Sequence, residues 1–274
     1  MTDRNDFVAA DVPISMAATV MLLRDAPDGP SGIEVFMLRR TANAVFGAGM
    51  FVFPGGRVDE IDGSADVGAC VRGLDDVTAS KRLGLESGGL SFWMAAVREA
   101  FEEAGVLLAQ RIDGGPLTLD PDERHRVHDG SLAVVDLCVR RGLVIDLSLL
   151  HYVDHWVTPV GERRRFDTRF FLGQVPPDQV LVHDDAETVD SLWVRPAEAV
   201  AMFGDGRLTM MPPTVANLQR LAAHASVADA LTAAAAITDP PRIEPRLRFT
   251  PEGKVIGVAL PWDDDYDEIR TPSR

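Results

Sequence analysis

Residues 98–106 of this 274-residue chain read Arg-Glu-Ala-Phe-Glu-Glu-Ala-Gly-Val. Arg98, Glu99, Glu102 and Glu103 sit on one helical stretch, and Gly105 supplies its stop. On an α-helix, positions i, i+3 and i+4 share a face, so the three glutamates project together. Like charges at that spacing repel and destabilise a helix. The spacing therefore predicts a compensating positive partner. A hard divalent cation is the natural one, because carboxylate oxygens suit magnesium or manganese. A solvated acidic face is the ordinary meaning of a glutamate cluster. Fixed offsets among the arginine, the glutamates, the glycine and the apolar Val106 set this one apart.

A glycine loop stands upstream, where Phe53-Pro54-Gly55-Gly56 follows the apolar Met50-Phe51-Val52. Loop and helix together resemble the two halves of the Nudix box, Gly-x5-Glu-x7-Arg-Glu-U-x-Glu-Glu-x-Gly-U, where U is aliphatic. Ala100 and Val106 occupy the two U positions. Six residues on from Gly56 stands Asp62, where the family carries glutamate, and Glu60 is the alternative in another loop register. Between Asp62 and Arg98 lie 35 residues (63–97), where the pattern has seven. Residues 65–83 read as loop plus a short helix, and Gly84, Gly88 and Gly89 punctuate the return. Loop-closure entropy grows slowly with length, so the two halves can still meet. An insert at this place resembles the coenzyme A and acyl-coenzyme A diphosphatase-like branch of the family. The stretches 37–41 and 156–171 support that branch.

The resemblance implies an α/β fold: a Nudix-type α/β/α sandwich with a mixed central sheet, an inserted helical segment and a C-terminal extension. The expected Nudix domain is 1–239, with its insertion at about 63–90, and residues 240–274 form the extension. It also implies a magnesium or manganese ion held by Glu102 and Glu103. Glu99 is the third carboxylate, either a ligand or a base acting through metal-bound water. Arg98 orients the loop by pairing with Asp62 or Glu60. Gly55 and Gly56 let the backbone approach metal and phosphates closely. Glu187, in Asp184-Asp185-Ala186-Glu187, is the candidate for a further carboxylate. Nothing in the sequence places the neighbouring His183 near the chemistry. Arg39, Arg40, Arg165 and Arg169 are expected to contact phosphates, because a planar guanidinium matches phosphate oxygens. The implied reaction is metal-dependent hydrolysis of a diphosphate linkage, with coenzyme A or an acyl-coenzyme A as favoured substrate. An ADP-ribose or NADH pyrophosphatase and a non-catalytic nucleotide-binding module are the alternatives.

The net charge of −15 argues against nucleic-acid binding and leaves recognition of an anionic substrate to local arginines and metal. The longest apolar stretches, such as 231–237, are too short for a bilayer, and the first residues show no secretory pattern. Cys70 and Cys138 offer neither zinc spacing nor a disulfide framework. A cytoplasmic protein follows, with apolar C-terminal anchors compatible with a homodimer. Strands are expected at 16–23, 33–39, 151–157, 167–175 and 188–195. Helices are expected at 91–104, 121–141 (divided near Gly130), 196–203 and 212–223. Residues 243–249 and 255–260 can pair as a hairpin, before a solvated acidic tail at 262–268.

Overall fold

The computed structural model describes residues 12–27, 32–42, 47–184 and 187–269. Residues 28–30 between the first two expected strands, Asp185 and Ala186 of the acidic stretch, and the first residues read above lie outside them.

Strand β1 (Ile14–Asp25) is the axis of the molecule. Ala18, Val20 and Leu22 face one core and Met21 and Leu23 the other, so the strand reads as a continuous apolar run. It pairs antiparallel with β2 (Ile33–Arg40), which in turn pairs with the short β3 (Phe51–Val52). The glycine loop becomes β4 (Gly55–Arg57), a three-residue strand laid antiparallel on β1.

A one-turn helix, Glu60–Gly63, leads into the insertion, which holds a second one, Ala65–Ala69, then β5 (Val71–Arg72) and α1 (Asp76–Leu83). Asp75 caps α1 by accepting the Thr78 amide at 2.7 Å. The expected short helix is present. The strand β5 was not anticipated, because its two residues acquire a partner only from distant chain. That partner is β7 (Leu143–Asp146), and the order in between is α2 (Leu90–Ala104), β6 (Gln110–Arg111), α3 (Pro121–His128) and α4 (Val134–Arg141). Helix α3 stops before Gly130, as the glycine suggested. The free thiols of Cys70 and Cys138 are buried in one core where insert and α4 pack together, and Cys70 Sγ donates to the Val67 carbonyl at 3.7 Å.

Strands β8 (His151–Val157), β9 (Arg165–Gln174) and β10 (Thr188–Val194) complete the expected set. Three helices follow: α5 (Pro196–Gly204), α6 (Pro212–Leu221) and α7 (Val227–Ala235). The main sheet runs β10-β2-β1-β9-β8-β11, where β11 is Arg242–Ile243. It is mixed: β1 with β9 and β8 with β11 are parallel, the other pairs antiparallel. Helix α2 covers one face and α5, α6 and α7 the other, which gives the expected sandwich. Among the described residues no helix is long and apolar enough to cross a membrane.

Helix α2 is buried on nearly every side. The sheet lies beneath it, and the insert with α3 and α4 closes over it, through Val67, Leu83, Val127, Leu137 and others of the same core. Trp93 locks it to the sheet, donating to the Leu150 carbonyl at 2.9 Å and meeting Phe171 edge-on at 4.8 Å. A helix buried all round carries its charged side chains inward, where each one needs a partner.

The C-terminal extension is fastened to the body. Besides β11, Glu244 accepts from Arg165 at 2.5 Å, and Trp262 meets Trp156 edge-on at 6.1 Å. The hairpin forms as β12 (Arg246–Phe249) and β13 (Val255–Ala259). Asp263 and Asp265 of the acidic segment are ion-paired to Arg248 instead of being simply solvated.

Candidate active site

The register of β4 on β1 sets the site. Gly56 lies opposite Ala18 and Gly55 opposite Thr19, under the C-terminal half of α2. A Cβ on Gly56 would fall 2.3 Å from Glu99 Oε1, and one on Gly55 would fall 2.5 Å from Thr19 Oγ1. Both glycines are demanded by close approach, not by a left-handed backbone. The Gly55 amide donates to Glu103 Oε2 at 2.9 Å. Loop and helix thus meet across the insertion, with Glu99 and Glu103 both buried.

Arg98 closes the junction. Its Nε and Nη2 donate to the two oxygens of Asp62 at 2.9 Å each, and Nη2 also reaches the Arg57 carbonyl at 2.8 Å. Nη1 donates to Glu99 Oε1 at 2.8 Å and to both Glu102 oxygens at 3.3 Å. Of the two acidic candidates, Asp62 is the partner. Glu60 is exposed and is not among the groups Arg98 contacts. The one-turn helix 60–63 turns Asp62 inward, and its carboxylate also accepts the Asp59 amide at 2.9 Å.

Electrostatically the site lacks positive charge. Burial pushes the Glu99 carboxyl up to about 8, against the attraction of Arg98. Burial raises Glu103 well above the usual carboxylate range, and the negative charge of Glu99 adds to it. Glu102 and Asp62 are raised for the same first reason. Burial works against the charged Arg98 as well, yet its hydrogen bonds to Asp62 and the surrounding carboxylates hold it protonated. One guanidinium serves Asp62, Glu99 and Glu102 together. Among the described residues no three acidic, histidine or cysteine side chains already converge at ligating distance. Arg98 Nη1 holds Glu99 and Glu102, while Glu103 is held by the Gly55 amide. Buried, proton-hungry carboxylates beside a half-buried glycine backbone are an all-oxygen donor set, which suits a hard divalent ion.

The arginines separate by sheet face. Adjacent residues on a strand point to opposite faces. Arg40 shares the α2 face with Leu38; its charge reaches Glu103, it lies 3.8 Å from Glu187, and its buried Nε has no hydrogen-bond partner. Arg39 is exposed on the opposite face, contrary to the expected phosphate contact. Arg165 and Arg169 also depart from expectation, since both are buried in other duties. Arg165 donates to the Thr158 carbonyl at 3.0 Å and to Glu244. Arg169 pairs with Asp167, donates to His155 and lies over the Phe92 ring at 5.5 Å. Glu187 is brought near Glu103, whose carboxyl feels its charge. His183 Nδ1 is 3.1 Å from Ser191 Oγ, away from the glutamates' own hydrogen bonds.

Two contacts had no signal in the sequence. Asp59 approaches Arg98 at 3.6 Å. Arg124, on α3, donates through Nε and Nη2 to the Glu102 carbonyl at 3.0 and 2.9 Å. Both depend on how separate segments pack against α2, and no local pattern encodes that.

Comparison with known proteins places these features. Residues 78–221 match the NUDT19 Nudix domain family, a span that holds α2, Arg124 and Glu187 and begins after the glycine loop and Asp62. The chain is 31% identical over 281 residues to the human acyl-coenzyme A diphosphatase NUDT19, covering 88% of this chain and 74% of that protein. It is 32% identical over 263 residues to the Gallus gallus protein of the same name, covering 78% and 69%. Among solved structures, a Nudix hydrolase from Alicyclobacillus acidocaldarius superposes with a TM-score of 0.69 at 30% identity, over 81% of this chain and 97% of that one.

Proposed function

The chain belongs to the NUDT19 family of Nudix diphosphate hydrolases, and on that premise we propose that the diphosphate it cleaves is that of coenzyme A or an acyl-coenzyme A. The products are adenosine 3′,5′-bisphosphate and a 4′-phosphopantetheine derivative. One observation carries the reading of the site: Arg98 joins Asp62 of the loop to Glu99 and Glu102 of the helix, while Gly55 holds Glu103. The two halves of a box split by a long insert are reassembled.

In this reading Glu99, Glu102 and Glu103 hold the divalent ion, magnesium or manganese. Such an ion neutralises phosphoryl charge and lowers the pKa of its bound water. Gly55 and Gly56 give the diphosphate room against the backbone. Arg40 binds phosphate, and its unpartnered buried Nε supports that role, since an orphaned donor is costly unless a ligand uses it. Glu187, across from Glu103, orients or deprotonates the attacking water. Arg98 touches no phosphate; it fixes Glu99 and Glu102 and keeps the loop shut.

The coenzyme A preference rests on the two relatives named for acyl-coenzyme A and on the insert, which closes over α2. Two reduced cysteines side by side accord with a reducing compartment such as the cytoplasm.

The test is incubation of purified protein with magnesium or manganese and, separately, coenzyme A, an acyl-coenzyme A, ADP-ribose and NADH, with product identification. Adenosine 3′,5′-bisphosphate from the coenzyme A species supports the reading, and turnover confined to ADP-ribose or NADH overturns it. Glu103→Gln should abolish turnover in the active arm.

A further inference from the structure

The glutamates of α2 sit at an awkward place for a helix to hold anything firmly. Glu102 and Glu103 lie in its last turn, where helices fray and backbone carbonyls lack intrahelical partners. The negative end of the helix dipole also disfavours carboxylates there. Lysine or arginine in the last turn is the usual remedy, and α2 has no basic residue in its last turn.

The structure supplies that remedy from outside the helix. Gly105 (φ +69°) ends α2, with its amide on the Phe101 carbonyl at 3.1 Å and the Val106 amide on the Ala100 carbonyl at 3.3 Å. The Val182 amide takes the Ala104 carbonyl at 3.0 Å. Among the described residues it is Arg124 that takes the Glu102 carbonyl, through two donors at 3.0 and 2.9 Å. Arg124 is itself held in place. Asp120 caps α3, and Arg141 of α4 grips α3 through Glu123 at 2.5 Å. The guanidinium lies close to Gly105, where a Cβ would fall 3.0 Å from Arg124 Nη1 and 3.3 Å from its Cζ. The motif glycine thus has a second reason to be glycine, beyond its left-handed backbone: it leaves room for this arginine.

We propose that Arg124 is a positioning residue for the hydrolysis, fixing the metal-binding end of α2 by its two-pronged grip on the Glu102 carbonyl and placing a positive charge at the helix's negative end. The inference rests on the reading of Glu102 and Glu103 as metal ligands. Arg124 acts through the backbone that carries them, and it touches neither substrate nor ion.

Arg124→Met and Arg124→Lys test it on the full chain. Three readouts are needed: Mn²⁺ binding by electron paramagnetic resonance, kcat and KM for coenzyme A, and hydrogen exchange of the amides at 101–106. In Arg124→Met, kcat should fall about tenfold while KM stays within about twofold, as for a misplaced catalytic group under intact substrate binding. Mn²⁺ half-saturation should rise several-fold and exchange at 101–106 should quicken. Arg124→Lys keeps the charge and loses the fork, so it should recover part of the loss, and it carries the test if the methionine variant does not fold. An Arg124→Met protein with wild-type kcat and Mn²⁺ affinity overturns the inference, whatever its melting temperature. Wild-type protein that binds no Mn²⁺ brings down the metal reading instead. Exchange at 101–106 then decides the inference by itself: quickened, it supports the grip, and unchanged, it overturns it.

Discussion

Arg98 and Asp62 face each other through two parallel hydrogen bonds of 2.9 Å each, although 36 positions separate them in the chain. The pair is buried on both sides, so each group depends on the other for its charged state. Removing one partner of such a pair typically costs about 3–5 kcal/mol, because the remaining charge is left in a poor solvent. Asp62→Ala should therefore lower unfolding free energy by about that amount in urea titration. Unaltered stability would remove Asp62 from the role of closing the loop onto the helix.

Gly56→Ala gives a sharper test of the junction. Its Cβ would sit 2.3 Å from Glu99 Oε1 and 2.7 Å from Glu99 Cδ, so either the loop or the carboxylate must move. A misplacement of about 1 Å in a catalytic group can cost about 100-fold in rate. Steady-state kinetics should show kcat reduced by about that factor, with the protein still folded by circular dichroism. Activity near wild type would mean that Glu99 and Gly56 need not be in contact.

The proton-rich glutamates give a pH signature. Burial pushes Glu99 up to about 8, from an ordinary value of 4.5. In the metal-free protein the folded state then holds more protons than the unfolded chain across that interval. Glu99's contribution to stability is complete below 4.5 and is lost as pH rises through about 8. A divalent ion takes the place of the protons, so Mn²⁺ binding near neutral pH should release them. Calorimetric titration in two buffers of different ionisation enthalpy measures this. Equal heats in both buffers would contradict it.

On the acid side His155 works in the opposite sense. Burial, then the positive charges of Arg169 and Arg242, depress it to about 3, from 6.5. Arg169 and Asp167 both adjoin its Nε2, the carboxylate at 2.8 Å. Here the unfolded chain binds the extra proton, so stability is present above 6.5 and is lost as pH falls towards 3. The slope is about 1.4 kcal/mol per pH unit. Comparing wild type with His155→Gln in denaturant at pH 7 and pH 5 isolates the effect from that of Glu99. Wild type should lose stability relative to the variant at pH 5, and parallel behaviour would refute the assignment.

Much of the fold was legible in the chain itself. Alternating apolar runs and glycine or proline punctuation located β1, β2, α2, β8, β9 and β10 almost to their ends, because those signals act between near neighbours. The spacing of Glu99, Glu102 and Glu103 likewise announced a carboxylate helix, since helical geometry alone brings i, i+3 and i+4 together. The short β5 was beyond reach, as two residues form a strand only when β7 arrives beside them.

Partnership across the sheet was decided by tertiary structure. Strand periodicity says that Arg39 and Arg40 point to opposite faces, but which face carries α2 depends on the whole strand order. Sequence predicts that Arg165 and Arg169 meet phosphate; β9 instead turns them towards Glu244, Asp167 and His155. Asp62 prevailed over Glu60 because a one-turn helix points it inward. Cys70 and Cys138 adjoin because insert and α4 share a core. The sequence by itself determined the helix and the shared face of its carboxylates, both short-range properties of covalent neighbours. Packing in three dimensions chose the partners of those charges, because an arginine's role is set by which buried carboxylate or carbonyl the folded chain brings within about 3 Å.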